Sequence, residues 1–336
     1  MEDPHALANT GTKLARRLPK APTVAVGVLT VIALVLAACT SSPASPAPDL
    51  PPADSPEVIV PPPPPPPPPE LPRGGRTIFP QYRLVGYSGV KGDPAEALGR
   101  LTGDLDARCL EIEKIGKKYA YGRQVMPVFE MIAVVVQASA GSDGKYRVPR
   151  PYSEVREYLR AARRCQALLL LNIQPGRSEF LPEMKHFEKI LREPDVGVAL
   201  DPEWAMDPGQ IPGRSLGHSS GEELNAAAAY LSGIVKEYDL PEKAMVFHQF
   251  NLNTVSHIKA LKPHEGVAII RSVDGLGGPT MKTEEFNALT KGMPRYFHPG
   301  FKLFYKEDTN PPWGSRLMTP KEVMALKPRP EYILYE

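Results

Sequence analysis

Asp201 and Glu203 stand two residues apart at the end of the segment VGVALDPEWAM (Val196 to Met206), with Trp204 directly after them. Paired carboxyls are what acid–base hydrolysis needs, one to give a proton and one to take it or to attack. Side chains on a strand alternate, so both acids are expected to point with Gly197 and Ala199, while Val198 and Leu200 point the other way. On an extended strand their Cβ atoms would stand roughly 6.5–7 Å apart, a spacing compatible with acid–base work that selects no stereochemical outcome. Such a strand, small on one face and branched on the other, reads as buried on both sides, and strands of this kind carry chemistry at their C-terminal tips.

Other apolar runs in the chain also end in polar residues. Their tips read Tyr87 and Ser88; Glu130; Asn172, Gln174 and Arg177; His248 and Gln249; Arg271 and Asp274; Tyr305, Lys306 and Asp308. Glu203 is expected to be the general acid, raised in pKa by an apolar mouth and by Asp201. Asp201 would orient it or act as base, with Glu130 or Asp274 as the second carboxylate. Tyr87, Gln174, Arg177, Trp204, His248, Gln249, Arg271, Tyr305 and Lys306 are the expected substrate contacts. Trp204, Tyr87, Tyr305, Phe250 and Trp313 could offer flat faces to sugar rings. Structural roles compete with these: Glu130 could pair with Arg271 or Lys306, and His248 could be a satisfied core histidine. No cofactor is expected, because HExxH, CxxC and phosphate-loop motifs are absent and GYSGV is one residue short of a nucleophile elbow. A divalent ion on Glu130, Asp201, Glu203, Asp274 and His248 stays open without any fixed spacing to support it.

Eight apolar runs supply these tips: 83–89, 125–132, 167–174, 196–204, 244–250, 267–274, 301–308 and 331–336. Amphipathic stretches such as SEVREYLRAARRC, LPEMKHFEKILR, EELNAAAAYLSGIVKEY and TPKEVMALK lie between them, giving seven helical connections. Ser220 and Glu223 have capping-box spacing, and Pro320 after Thr319 suits a first helical turn. Strands alternating with helices over about 260 residues predict one (β/α)8 barrel of the TIM type, residues 77–336, lacking its last helix because the chain ends on strand eight. A doubly wound sheet would more often show GxGxxG in its first turn, which GYSGVKGDP does not match. The segment after strand two, VVVQASAGSDGKYRVPRP, has loop composition and is expected to lie over the mouth as a flap.

Upstream, Lys13, Arg16, Arg17 and Lys20 precede a short apolar stretch, Val24 to Leu36, and LAAC ends in Cys39. That pattern has the form of a secretory signal with a lipobox, residues 1–39, whose Cys39 would be acylated. Residues 40–76 read as a Pro-rich linker containing nine consecutive prolines, Pro61 to Pro69. Such a run takes polyproline II at about 3.1 Å per residue and acts as a semi-rigid strut. The formal net charge of +2 is near balance, and no basic block argues for nucleic acid. Cys109 and Cys165 both fall in expected helices; an oxidising compartment would allow them to pair, and two buried free thiols are slightly favoured.

With the lipobox, the proline strut and LNIQPGRS, VALDPEW, HQF, DGLGGP and FKLFY, the chain resembles a group of exported actinobacterial lipoproteins. The resemblance brings no reaction with it. DPEW also resembles the end of the DxxDxDxE motif of chitinase-type barrels, whose last two acids would fall on Asp201 and Glu203. The two upstream acids would fall on Val196 and Ala199, so half of that motif is missing. Lysozyme-type barrels place an acid on strand one, where LVGYSG has none. The D-x-E likeness implies a glycosidase-like hydrolase; with the lipobox, the chain is expected to act as a monomer on envelope or extracellular glycan at the outer face of the membrane, held by lipid at Cys39. A non-catalytic glycan- or ligand-binding lipoprotein and a metal-dependent phosphodiester hydrolase are the competing readings.

Overall fold

The structure is a computed structural model that describes residues 66–92 and 98–336. Cys39, the signal segment and most of the proline linker lie outside the described residues. Eight parallel strands form the body: β1 Tyr82–Val90, β2 Gln124–Val136, β3 Leu168–Ile173, β4 Val196–Leu200, β5 Lys243–Gln249, β6 Val267–Val273, β7 Phe297–Leu303 and β8 Tyr332–Tyr335. Each pairs with the next, and β8 pairs back onto β1, so the sheet closes into the expected barrel. The helices are α1 Leu105–Gly116, α2 Tyr152–Arg164, α3 Phe180–His186, α4 Glu188–Leu191, α5 Gly221–Glu237, α6 Pro279–Thr290 and α7 Pro320–Ala325.

Strand parity splits the core into two layers. Leu84, Val128, Leu170, Ala199, Val246 and Ile270 meet inside the barrel, whereas Val85, Phe129, Leu171, Val198, Phe247 and Ile269 pack outward against the helices. Gly197 is small for a physical reason: a Cβ there would sit 2.4 Å from the Ala244 carbonyl oxygen and 2.9 Å from a Leu170 methyl. The opposite, N-terminal pole is closed by Leu71 and Ile78, which join the inner layer. Arg76 holds that segment by pairing with Asp239 at 2.7 Å, and Glu242 accepts the Ile78 N–H at 2.6 Å.

Local signals explain the helix starts. The Asp104 side chain accepts the N–H groups of Asp106 and Ala107 ahead of α1. Thr319 and Glu322 form a full capping box around Pro320. Ser220 caps α5 through the Glu223 N–H, but the Glu223 carboxylate turns away to Ser219 and the Phe180 N–H, so only half of that box forms.

Three features differ from the sequence reading. The β5–β6 connection carries only a three-residue 3-10 turn, Ile258–Ala260; in NLNTVSHIKALKP the apolar Leu252, Val255, Ile258 and Leu261 recur every third residue, closer to the 3-10 than to the α period, and Pro263 ends any helix. Strand seven runs 297–303 instead of 301–308, because Asp308 folds the chain back by accepting the Phe304 N–H at 2.9 Å. Cys109 and Cys165 form a disulfide rather than two free thiols, joining α1 to the end of α2 across 56 residues. Burial made free thiols plausible, but the two helices stand side by side and bring the sulfurs together. Replacing both by serine should lower the unfolding free energy by about 2–4 kcal/mol, read from a denaturant midpoint; an unchanged midpoint would show that the bridge is idle.

No helix follows β8 among the described residues. Its flank is packed instead by Tyr119, whose hydroxyl meets that of Tyr335, with their rings 6.4 Å apart. The segment after β2 is not a free flap. Arg147–Pro149 turns back to pair with Val134–Val136, and the Arg177 N–H donates to the Lys145 carbonyl.

Candidate active site

The inward parity of β2, β3, β5, β6 and β7 delivers polar side chains to the C-terminal mouth, where the apolar inner layer stops. Glu130 follows Met126 and Val128, His248 follows Ala244 and Val246, and Asp274 lies just past β6. Asp201 ends β4 on the inward face, as expected. Glu203 does not continue the strand: Pro202–Trp204 forms a 3-10 turn behind Asp201. Proline at the first position favours that turn, so the extended-strand spacing inferred for the two acids does not apply. The turn is fastened by the Asp201 N–H to the Ile173 carbonyl at 3.1 Å, the Met206 N–H to that of Gly176 at 2.7 Å, and the Gly217 N–H to that of Glu203 at 2.7 Å.

Beneath the mouth lies a buried ionic network. The His248 ring is fully buried, with Nδ1 2.7 Å from Asp274 and Nε2 3.2 Å from Glu130. Tyr332 donates its hydroxyl to Glu130. Asn172 donates to Asp201 at 2.9 Å and to Glu130 at 3.3 Å, and Gln174 donates to Asp201 at 3.3 Å. Ser272 donates to Asp274 at 2.7 Å. Lys302 reaches Asp274 at 3.3 Å and Glu336 at 2.7 Å.

Charge balance decides where protons sit. Burial pulls His248 toward the neutral form, but Asp274 and Glu130 outweigh it and hold the ring well above its ordinary range, as an imidazolium. Burial likewise opposes the charge on Lys302, and Glu336 with Asp274 keeps it. Against burial, His248 and Lys302 hold Asp274 down at about 2. Glu130 is also lowered, because His248 overcomes its desolvation. Two cations cannot neutralise the five acids Glu130, Asp201, Glu203, Asp274 and Glu336, and Asp201 and Glu203 carry the excess. Burial raises Asp201 to about 6 even against His248 and Lys302. Burial, with Asp201 and Asp274 nearby, raises Glu203 well above the carboxylate range. Glu203 is thus a neutral acid beside ionised neighbours, the separation that marks acid and base roles.

A cavity of about 280 Å³ opens onto this layer, lined by Asp201, Glu203, Trp204, Asp274 and Lys302 among others. Ser88 Oγ, Asn172 Oδ1 and Glu203 Oε2, all from lining residues, are buried with no protein partner. Buried polar atoms are nearly always paired, so three around one cavity form a set of groups ready for a ligand. Among the described residues, no group of three or more His, Cys, Asp or Glu is arranged to hold a metal ion.

The expected site residues therefore divide. Asp201, Glu203, Asp274, Gln174 and Trp204 line the cavity, while Glu130 and His248 lie in the buried layer. Tyr305 and Lys306 line a neighbouring hollow. Tyr87 belongs to the outer layer and packs edge-on against Tyr305 and Tyr335. Arg271 also points outward, donating to the Leu289 carbonyl and lying over Phe247 and Phe297. Gln249 shares that parity and donates to the Asn251 carbonyl. Arg177 donates to the Gln210 carbonyl and stacks over Tyr146. Odd parity separates Tyr87, Gln249 and Arg271 from the mouth. Lys302, Tyr332, Leu216 and Phe304 were not anticipated; a lysine alternating between Phe301 and Leu303 was the available signal for the first.

The wall formed by Asp274, Leu276, Lys302 and Phe304 is braced from behind. Lys282, 1% exposed, donates to the Gly275 carbonyl and pairs with Asp308 at 3.1 Å. Asp308 also accepts the Gly277 N–H at 3.2 Å. The Gly278 N–H donates to the Trp313 carbonyl at 2.9 Å. One buried ion pair thus ties the loop after β6 to the loop after β7.

No protein-family model matches the chain, and no curated protein matches it in sequence. Among solved structures it is similar to a putative alpha-L-fucosidase from Bacteroides thetaiotaomicron VPI-5482, with a TM-score of 0.39 and 10% identity over 75% of this chain and 85% of that one. At those values the likeness carries no argument, and function is read from this chain's own side chains.

Proposed function

We propose that this chain is a glycoside hydrolase-like barrel working by carboxylate acid–base catalysis. The feature that carries the reading is Glu203, raised well above the carboxylate range by burial, in a cavity it shares with Asp201 and with Asp274, which His248 and Lys302 hold down at about 2. Glu203 gives its proton to the glycosidic oxygen as the bond to the anomeric carbon breaks. Asp201, ionised above about pH 6, takes a proton from water or attacks the anomeric carbon. Asp274, paired with His248 and Lys302, anchors those two cations beneath the cavity and so sets the field in which Asp201 and Glu203 titrate. Trp204 gives the sugar ring an aromatic wall.

The pH profile tests this assignment. Asp201 must be ionised and Glu203 protonated, so kcat/KM should rise through about pH 6 and fall again at higher pH as Glu203 ionises. A profile flat from pH 5 to 8 on a cleaved glycoside would contradict it. Release of reducing ends from a panel of cell-wall and extracellular polysaccharides is the measurement that finds the substrate.

We also propose that the protein works as a monomer at the outer face of the membrane, tethered through acylated Cys39. The Cys39→Ala chain should carry no lipid label and leave the membrane fraction. Recovery of labelled protein from that variant would overturn the tether.

A further inference from the structure

The cavity at Glu203 is one end of a longer trough. Leu276, Phe304 and Glu336 belong both to its wall and to that of a second hollow of about 840 Å³. Arg100, Tyr305 and Lys306 bound that hollow on its other sides. Leu276, Lys306 and Glu307 continue into a third hollow of about 260 Å³, which ends against Trp313. The first hollow lies at the low end of ligand-pocket sizes, whereas the second lies near the high end. A single sugar ring accounts for the first and leaves most of the trough unused.

The chemistry of the trough wall is specific in kind. Arg100 and Lys306 carry positive charge, Glu307 and Glu336 negative, so the wall presents donors and acceptors without a dominant sign. An anionic polymer would meet acids there; a chain of hydroxyl groups finds partners for both its hydrogens and its oxygens. Apolar surface alternates with these groups: Phe304, Trp313 and the edge of Tyr305, whose ring is stacked on Tyr335 at 5.4 Å and lies under the Arg100 guanidinium at 5.8 Å. Trp313 is 64% exposed at the outer end, an unusual position for so large a ring.

We infer that this trough is a binding site for a run of uncharged sugar units, continuous with the cavity at Glu203. The substrate is then an internal stretch of an oligosaccharide and not a lone terminal sugar. The cleavage position rests on the function proposed above; the binding of the chain does not.

The test uses full-length Glu203→Gln protein and calorimetric titration with gluco-, arabino- and chito-oligosaccharides of one to six units. In at least one series, affinity should rise tenfold or more between one unit and four. Adding Trp313→Ala should weaken the four-unit ligand by about two- to tenfold, the range for a lost aromatic contact, and leave the single sugar unaffected. Lys306→Ala should act in the same direction on the longer ligands. No tightening with length in any series, or tightening that Trp313→Ala leaves intact, overturns the trough. If length dependence and the Trp313 effect hold while wild-type protein cleaves none of these ladders, the trough stands and the acid–base reading falls. If cleavage occurs without length dependence, the trough alone falls.

Discussion

Glu203→Gln should lower kcat by about 10²–10⁴-fold, the contribution of a positioned general acid, with ligand affinity retained. Gln keeps the shape of the side chain and can still hydrogen-bond, but it has no proton to give. The same substitution should raise stability at alkaline pH. An acid whose pKa is higher in the folded chain than in the unfolded one contributes stability that is full at low pH. That stability is lost as pH rises from the unfolded value of about 4.3 toward the folded one. Glu203 is such a group, and glutamine does not titrate. Thermal melts of both proteins at pH 5 and pH 8 read this directly: the variant should gain on wild type at the higher pH. Unchanged turnover would remove Glu203 from the acid role, and loss of both binding and turnover would leave it a structural residue.

His248→Ala should cost about 3–5 kcal/mol of folding stability, the usual effect of breaking a buried ion pair from one side. The ring separates Glu130 and Asp274 at full burial. Lys302 still reaches Asp274, but Glu130 would keep only the neutral donors Tyr332 and Asn172. The deficit should narrow as pH falls toward 4, because burial raises a Glu130 carboxyl that has lost its cation and lets it take up a proton above the ordinary carboxylate range. Urea midpoints at pH 3.5 and pH 7 measure it. An equal loss at both values would mean that the missing ring volume, and not its charge, sets the cost.

How far the sequence revealed this arrangement depended on strand parity and strand ends. The alternation of apolar runs and helices sufficed for the barrel, because closure needs only eight strands with covered faces. Gly197, Ala199 and Asp201 were placed on the inward face because small and branched residues alternate along β4. The same logic was ambiguous where both faces are apolar, which is why Arg271 and Gln249 were grouped with Asp274 and His248. Pro299 and Gly300 blurred the start of β7, moved its apparent tip to Tyr305 and Lys306, and hid Lys302. Pro202 turned Glu203 off the strand, a change visible as a proline but not as a distance. The buried role of Glu130 and His248 follows from contacts across 118 positions, which no local pattern encodes.

The Lys282–Asp308 pair has a consequence for how this mouth can diversify. It makes the segments 275–279 and 304–315 one mechanical unit, since a change in the backbone of either displaces an acceptor or donor that the other requires. Drift in one segment alone is therefore penalised through a pair that itself lines none of the hollows. Recombination that carries both segments, with Lys282, exchanges a complete wall of the mouth and leaves the barrel and the His248 network untouched. In laboratory evolution, those two segments are the natural cassette, to be randomised together or not at all.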